Sequence, residues 1–184
     1  MTPTQEMVDY YYTRTKNHIN RVKKYLDKIY KYNPIKFYLL PNRKEIHDQS
    51  KYKEPELVPY IFVTWNYYCK DHNIDFTIPE DIKKQMQEAT YHHVKNNRHH
   101  PEFHDDTTTI NSINSKDRDK PPENMVNGSK MSSIDIAEMV ADWMAMSEER
   151  GGHPKDWAKA NINIRWKFTQ DQVKLIYELI EKIW

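Results

Sequence analysis

Apolar residues recur at intervals of three and four along most of the chain, the periodicity of helices with one buried face. Val8, Tyr11, Tyr12, Thr15, His18, Ile19, Val22, Leu26 and Ile29 form the first stripe. Thr2-Pro3-Thr4-Gln5 ahead of it reads as an N-cap at Thr2, a proline in the first helical position and a glutamine closing a capping box. His18 thus falls on the buried side, whereas Arg14, Lys16, Arg21, Lys23, Lys24 and Lys28 lie mostly off it. Asn33-Pro34 and Pro41-Asn42 bracket a short irregular piece, and a second helical segment begins near Arg43 and includes Ile46, His47 and Asp48. A third has Pro55 in its first turn and runs through Pro59 to about Lys70, with Leu57, Tyr60, Ile61, Trp65 and Tyr68 on helical spacing. Pro79 starts a fourth, carrying Ile82, Met86 and Ala89, and His93, Asn97 and His100 continue its face at i+4 and i+7.

The pattern lapses over 103–130. Among those 28 residues only Phe103, Ile110, Ile113, Met125 and Val126 are large and apolar. Thr-Thr-Thr, Asp-Arg-Asp-Lys-Pro-Pro and Asn-Gly-Ser make the stretch a long polar loop, either a lid over a substrate or a mobile connection. Ser132 with Asp135 then boxes the start of a strong helix that ends at Gly151-Gly152, and Thr169 with Gln172 boxes the start of a last one. Val173, Ile176, Tyr177, Ile180 and Ile183 form its stripe. With no internal repeat and no strand pair, the pattern predicts a single all-α domain over 1–184, a bundle of about six helices with one long loop.

Composition narrows the function. A chain of 184 residues buries a core without disulfide staples, and 12% aromatic content argues against disorder despite 30% charged residues. Three glycines are too few for a P-loop, a dinucleotide-binding turn or a nucleophile elbow, each of which needs glycine where backbone crowds a phosphate or turns sharply. Lys+Arg 28 against Asp+Glu 27 leaves a net charge of +1, so no overall field selects nucleic acid or an anionic membrane. Cys69 alone excludes a disulfide framework and a cysteine-ligated zinc site. The N-terminus lacks a basic segment followed by an apolar one. The longest uncharged stretch, Leu57 to Cys69, is too short to span a bilayer and is interrupted by Pro59, Thr64 and Asn66. A cytoplasmic location is expected, with no membrane partner.

Histidine is the compositional oddity: of nine, five fall between positions 92 and 104. His47-Asp48 offers an imidazole nitrogen and a carboxylate oxygen side by side, a pair suited to a divalent ion. His18 on a buried stripe needs a partner, because an unpaired imidazole is costly there. In Tyr91-His92-His93-Val94-Lys95-Asn96-Asn97-Arg98-His99-His100, four histidines fall within nine residues. Asp135, Glu138 and Asp142 make an acidic stripe at i, i+3 and i+7, opposite Ile136, Val140 and Trp143.

The order His18, His47-Asp48, histidine cluster, Asp142 resembles the HD-domain superfamily of metal-dependent phosphohydrolases, helical bundles in which H…HD…D holds one metal and intervening histidines hold a second. His47-Asp48-Gln49-Ser50-Lys51 is similar to the H-D-x-G-K run of the cyclic-dinucleotide branch, with Ser50 in place of glycine. No Gly-Tyr-Pro run follows the histidine cluster, so hydrolysis of cyclic dinucleotides is not implied. A closer likeness is to an uncharacterised bacterial and phage family with H-D-x-S-K, H-x-x-x-N-x-H-H and E-M-x-x-D-W. Those motifs are met here by His47 to Lys51, by His93, Asn97, His99 and His100, and by Glu138-Met139 with Asp142-Trp143.

The resemblance implies an HD-like bundle in which His18, His47, Asp48 and Asp142 hold one metal. Asp48 then bridges to a second, held by His93 and by His99 or His100. It implies one or two ions of Mn, Zn, Fe, Co, Ni or Mg per chain and a small phosphorylated substrate such as a nucleotide. Lys51 and Arg98 then neutralise phosphate charge, and Glu138 or Glu102 relays a proton or orients a ligand histidine. Two other readings fit the same residues. Some HD-type bundles hold two irons and oxidise small substrates with O2, and a phage-encoded bundle in host cytoplasm could bind a nucleotide or a host protein without turnover. The basic first helix leaves nucleic acid as a weak option, since no reading motif accompanies it.

Overall fold

The computed structural model describes residues 2–113 and 124–184. It is an all-α bundle, with eight α-helices among the described residues: α1 (Gln5–Tyr32), α2 (Leu40–Ile46), α3 (Leu57–Asp71), α4 (Glu80–Asn96), α5 (Pro101–His104), α6 (Ser133–Arg150), α7 (Pro154–Asn161) and α8 (Gln170–Ile183). The two beyond the expected six are α5 and α7. Both are short and start on proline, whose fixed φ suits a first helical turn.

Several boundaries differ from expectation for local reasons. The N-cap of α1 is Thr4, not Thr2: its hydroxyl accepts from Met7 N at 3.3 Å. Helix α2 ends at Ile46, so His47 and Asp48 lie just past it rather than within it. Helix α4 stops at Asn96: Asn97 N still closes the last helical bond to His93 O at 3.1 Å and its side chain caps the same oxygen at 2.8 Å, but its backbone is extended (φ −117, ψ 111). His99 and His100 therefore sit in a turn and do not extend the α4 face.

Part of 103–130 is ordered. Asp105 accepts from Thr107 N at 2.9 Å, Thr107 Oγ1 at 2.7 Å and Asn127 N at 2.7 Å, which ties the start of the stretch to its end. A 3-10 turn at Ile110–Ser112 follows. The Asp-Arg-Asp-Lys-Pro-Pro run lies outside the described residues. Strand pairing, not expected from the sequence, occurs once among the described residues: β1 (Val126–Asn127) lies parallel to β2 (Trp166–Lys167), in segments too short to show a period.

The caps of α6 and α8 are as expected. Ser132 and Asp135 form one capping box and Thr169 and Gln172 the other, and Gly151 closes α6 at φ 70, where a glycine meets no Cβ penalty. Helix α6 is buried nearly all round, the state of a central helix. Val22, Leu26 and Ile29 of α1, Ile136, Val140 and Met144 of α6, and Ile176, Leu179 and Ile180 of α8 make the main core. A second core joins Met7 and Tyr11 of α1 to Tyr60, Ile61 and Phe62 of α3 and Ile82 and Ala89 of α4. Helix α1 runs through both, and His18 lies along it between Tyr11 and Val22, where the apolar lining gives way to polar side chains. Among the described residues no helix is long and apolar enough to cross a membrane.

Candidate metal centre

Five structural elements converge at that break. Helix α1 supplies His18, the end of α2 supplies His47 and Asp48, α4 supplies His93, the following turn supplies His99 and His100, and α6 supplies Asp142. Asp48 adopts a left-handed backbone (φ 57, ψ 17), a conformation that costs a non-glycine residue about 1 kcal/mol and that aspartate tolerates better than most. Its side chain is completely buried and lies at the centre of the group.

The two oxygens of Asp48 divide between two sets of donors. Oδ2 lies 3.5 Å from His18 Nε2 and 3.6 Å from His47 Nε2, and His18 Nε2 lies 3.0 Å from Asp142 Oδ1. Oδ1 lies 3.7 Å from His93 Nε2 and 3.6 Å from His99 Nε2, and His93 Nε2 lies 3.0 Å from His100 Nε2. Four donor atoms of the first set, and three histidine nitrogens of the second, lie within 4.8 Å of one another. Ligands that share one ion at about 2.1 Å stand roughly 3.0–3.5 Å apart, close to these separations.

The donors are held in ligating form. Glu138 is buried, and its carboxylate can only accept, so the 2.8 Å contact from His47 Nδ1 to Oε1 fixes the proton on Nδ1 and leaves the Nε2 lone pair facing Asp48. Arg43 Nε donates to the other Glu138 oxygen at 2.6 Å. Glu56, also buried, does the same for His93, whose Nδ1 lies 2.8 Å from Oε2. His47 Nε2, in the first set, and Asp48 Oδ1, in the second, are buried without a hydrogen-bond partner, a costly state that a cation beside each would relieve.

Charge points the same way. Asp48, Glu56, Glu138 and Asp142 stay ionised against burial. Lys51, whose Nζ lies 2.5 Å from Asp48 Oδ2, and the neighbouring histidines hold Asp48 well below the usual carboxylate range. His18 does so for Asp142, His47 and His99 for Glu138, and His93 for Glu56. Lys51 and Arg43 balance only part of that charge. Burial opposes the imidazolium of His18 and His99, yet Asp142 and Asp48 raise the pKa of the first and Glu138 that of the second. Protons on these rings thus stand where metal ions would, and uptake of an ion would release them. Burial lowers the pKa of His93 and keeps it neutral despite Glu56.

The centre opens into a cavity of about 670 Å³, whose wall includes Lys51, Arg14, Arg150, Arg165, Tyr67, Trp157 and Trp166. That is within the size range of small-molecule sites. The seven residues expected as ligands therefore come together, with Lys51 beside them. Arg98 does not join them: its guanidinium forks onto Asp135, Nε to Oδ1 at 3.1 Å and Nη2 to Oδ2 at 3.2 Å, and it is absent from the cavity wall. Glu138 is not on a solvated stripe but deep in the site, as the support of a ligand histidine. Glu102 lines the cavity and accepts from Trp166 Nε1 at 3.0 Å. Sequence reasoning missed Glu56, Arg43 and the cavity arginines. Nothing in the local pattern marks Glu56, since its burial is set by the packing of α3 against α4.

No curated protein and no solved structure matches the chain. The model of DUF5662, a family of unknown function, matches residues 7–182, and the chain belongs to that family.

Proposed function

We propose that the protein is a metal-dependent phosphohydrolase of the HD type, acting on a nucleotide or another small phosphate ester. The observation that carries this reading is the division of the Asp48 oxygens between two nitrogen-rich donor sets beside a cavity whose wall carries Lys51, Arg150 and Arg165. His18, His47, Asp48 and Asp142 would hold one ion, and Asp48, His93, His99 and His100 the other. Five imidazoles favour Mn, Fe, Co, Ni or Zn over Mg, which prefers an all-oxygen shell. Bound there, such ions clamp phosphoryl oxygens and lower the pKa of water towards ~7.

The chain's own residues do the rest. Lys51, partly exposed next to Asp48, supplies a fixed positive charge for the phosphoryl group. Arg150 and Arg165 offer positive charge further along the wall, where Arg14 is engaged by Glu149 (Nε to Oε1, 2.9 Å), and Trp157 and Trp166 offer a flat apolar surface for a base or other ring. Glu138 and Glu56 keep His47 and His93 from turning their protonated nitrogens inward. On this reading Lys51 neutralises phosphate charge, and Arg98, engaged by Asp135, is not placed to share that role.

The test is a screen of phosphate esters and nucleotides with manganese-, cobalt- and zinc-loaded protein. Turnover that falls by about 100-fold in Lys51→Ala, the order of loss when a preorganised charge is removed, with metal still bound, is the expected result. The same seven donors suit two irons. Purified protein that holds iron with a visible-region absorption band and turns over no phosphate ester would replace hydrolysis with O2-dependent oxidation. Full metal uptake without either activity would favour a binding module.

A further inference from the structure

We infer that Glu56 is the positioning residue of the second ion position, and that Ser50 and Asn97 exist to hold it. The inference rests on the two-ion reading above. Glu56 is fully buried, and its carboxylate gathers donors from three places in the chain. His93 Nδ1 reaches Oε2 at 2.8 Å and His92 Nδ1 reaches Oε1 at 2.7 Å, and the Ser50 hydroxyl adds to what holds the carboxylate ionised. Asn97 Nδ2 donates to Ser50 Oγ at 2.9 Å. A hydroxyl that accepts from Asn97 turns its own proton to Glu56, so the chain Asn97, Ser50, Glu56, His93 has one consistent direction of donation. At its end, His93 must carry its proton on Nδ1 and present Nε2 to Asp48 Oδ1 and to His100.

The network gives a reason for two motif residues that ligate nothing, Ser50 of His47-Asp48-Gln49-Ser50-Lys51 and Asn97 between His93 and His99. It also makes the two ion positions unequal. Glu138 contacts a histidine of each set, His47 Nδ1 at 2.8 Å and His99 Nδ1 at 3.4 Å. Glu56 contacts a ligand of the second set alone. A change at Glu56 therefore acts on one ion and a change at Glu138 on both. Glu56→Gln keeps the shape but cannot satisfy three donors, because its amide nitrogen must face at least one of them.

The experiment is titration of the metal-free full chain with Co(II), followed by visible absorption and calorimetry, with circular dichroism to confirm the fold. The wild type takes up two ions. Glu56→Gln keeps the first at wild-type affinity and binds the second about 10–100-fold more weakly, the usual cost of losing the partner of a ligand histidine. Ser50→Ala shifts the second ion in the same direction by less, and Glu138→Gln weakens both. Two ions at wild-type affinity in Glu56→Gln, equal weakening of both, or a wild type that binds a single ion would each overturn the inference. Should Glu56→Gln not fold, unchanged second-ion affinity in both Ser50→Ala and Asn97→Ala overturns it instead. Selective loss of the second ion supports the role of Glu56 whether or not any phosphate ester is turned over, so failure of the hydrolase reading is read separately.

Discussion

The two candidate donor sets share Asp48 and differ in what holds them. The first hangs on the longest packed elements. His18 sits on α1 between the two apolar cores, and Asp142 sits on α6, whose other faces are buried against α1 and α8. Close-packed apolar side chains thus place two of its four donors, while His47 and Asp48 lie just past α2, with His47 held by Glu138. The second set hangs on the last turn of α4 and on the turn after it, and hydrogen bonds hold it: Glu56 to His93, Asn97 to the α4 carbonyl and to Ser50. Packing spreads a perturbation over many weak contacts, whereas a buried polar network concentrates it in a few groups that are costly to leave unpaired. Single polar substitutions should therefore damage the second set more selectively than the first.

The strongest test of the shared element is Asp48→Ala, which should abolish uptake of both ions while circular dichroism keeps its helical form. Retention of even one ion at wild-type affinity would mean that Asp48 does not join the sets. Next in size, His47→Ala or Asp142→Ala should remove the first ion and His100→Ala the second, read by stoichiometry in each variant. Loss of both ions in all three would merge the sets into one cooperative site and erase the distinction.

A smaller effect concerns pH in the metal-free chain. Glu56 and Glu138 have folded pKa values below their ordinary 4.5, and Asp48 and Asp142 below 3.8. The stability they contribute is complete above those values and is lost as pH falls through the depressed ones. His18 and His99 are raised above 6.5, so their contribution is complete below 6.5 and is lost as pH rises through the raised values. His93, lowered by burial, works in the opposite sense. The melting temperature of metal-free protein should therefore peak between 4.5 and 6.5 and fall on both sides. Added metal should flatten the alkaline limb by replacing those protons. A melting temperature that climbs steadily through neutral pH without metal would contradict these assignments. The smallest effect is expected from Arg98→Ala. It should leave both ions bound and cost about 1 kcal/mol in denaturant unfolding, since its pairing with Asp135 is half open to water.

Sequence and structure agree most where a signal is local and repeated. The stripes of α1 and α8 and the boxes at Ser132 and Thr169 depend on neighbours three and four residues away, and each is where the pattern puts it, with Tyr12 alone of the α1 stripe exposed. The ligand types were legible for a different reason: His47-Asp48 and the crowded histidines are hard to place on a polar surface by chance. What stayed hidden was set at a distance. His99 and His100 read as a continuation of α4, but the backbone turns extended at Asn97, whose side chain bonds Ser50 across the chain. Arg98, adjacent to ligands in sequence, is turned away by Asp135 on α6. Glu56 follows a proline in a polar stretch and becomes the support of His93 only once α3 and α4 have packed.

Elemental analysis of untagged protein purified without chelator tests the central claim most directly. Two transition-metal ions per chain, absent from Asp48→Ala prepared in parallel, is the expected result. Protein that is metal-free and takes up neither manganese, iron, cobalt, nickel nor zinc on addition would contradict it and leave the buried histidines as structural.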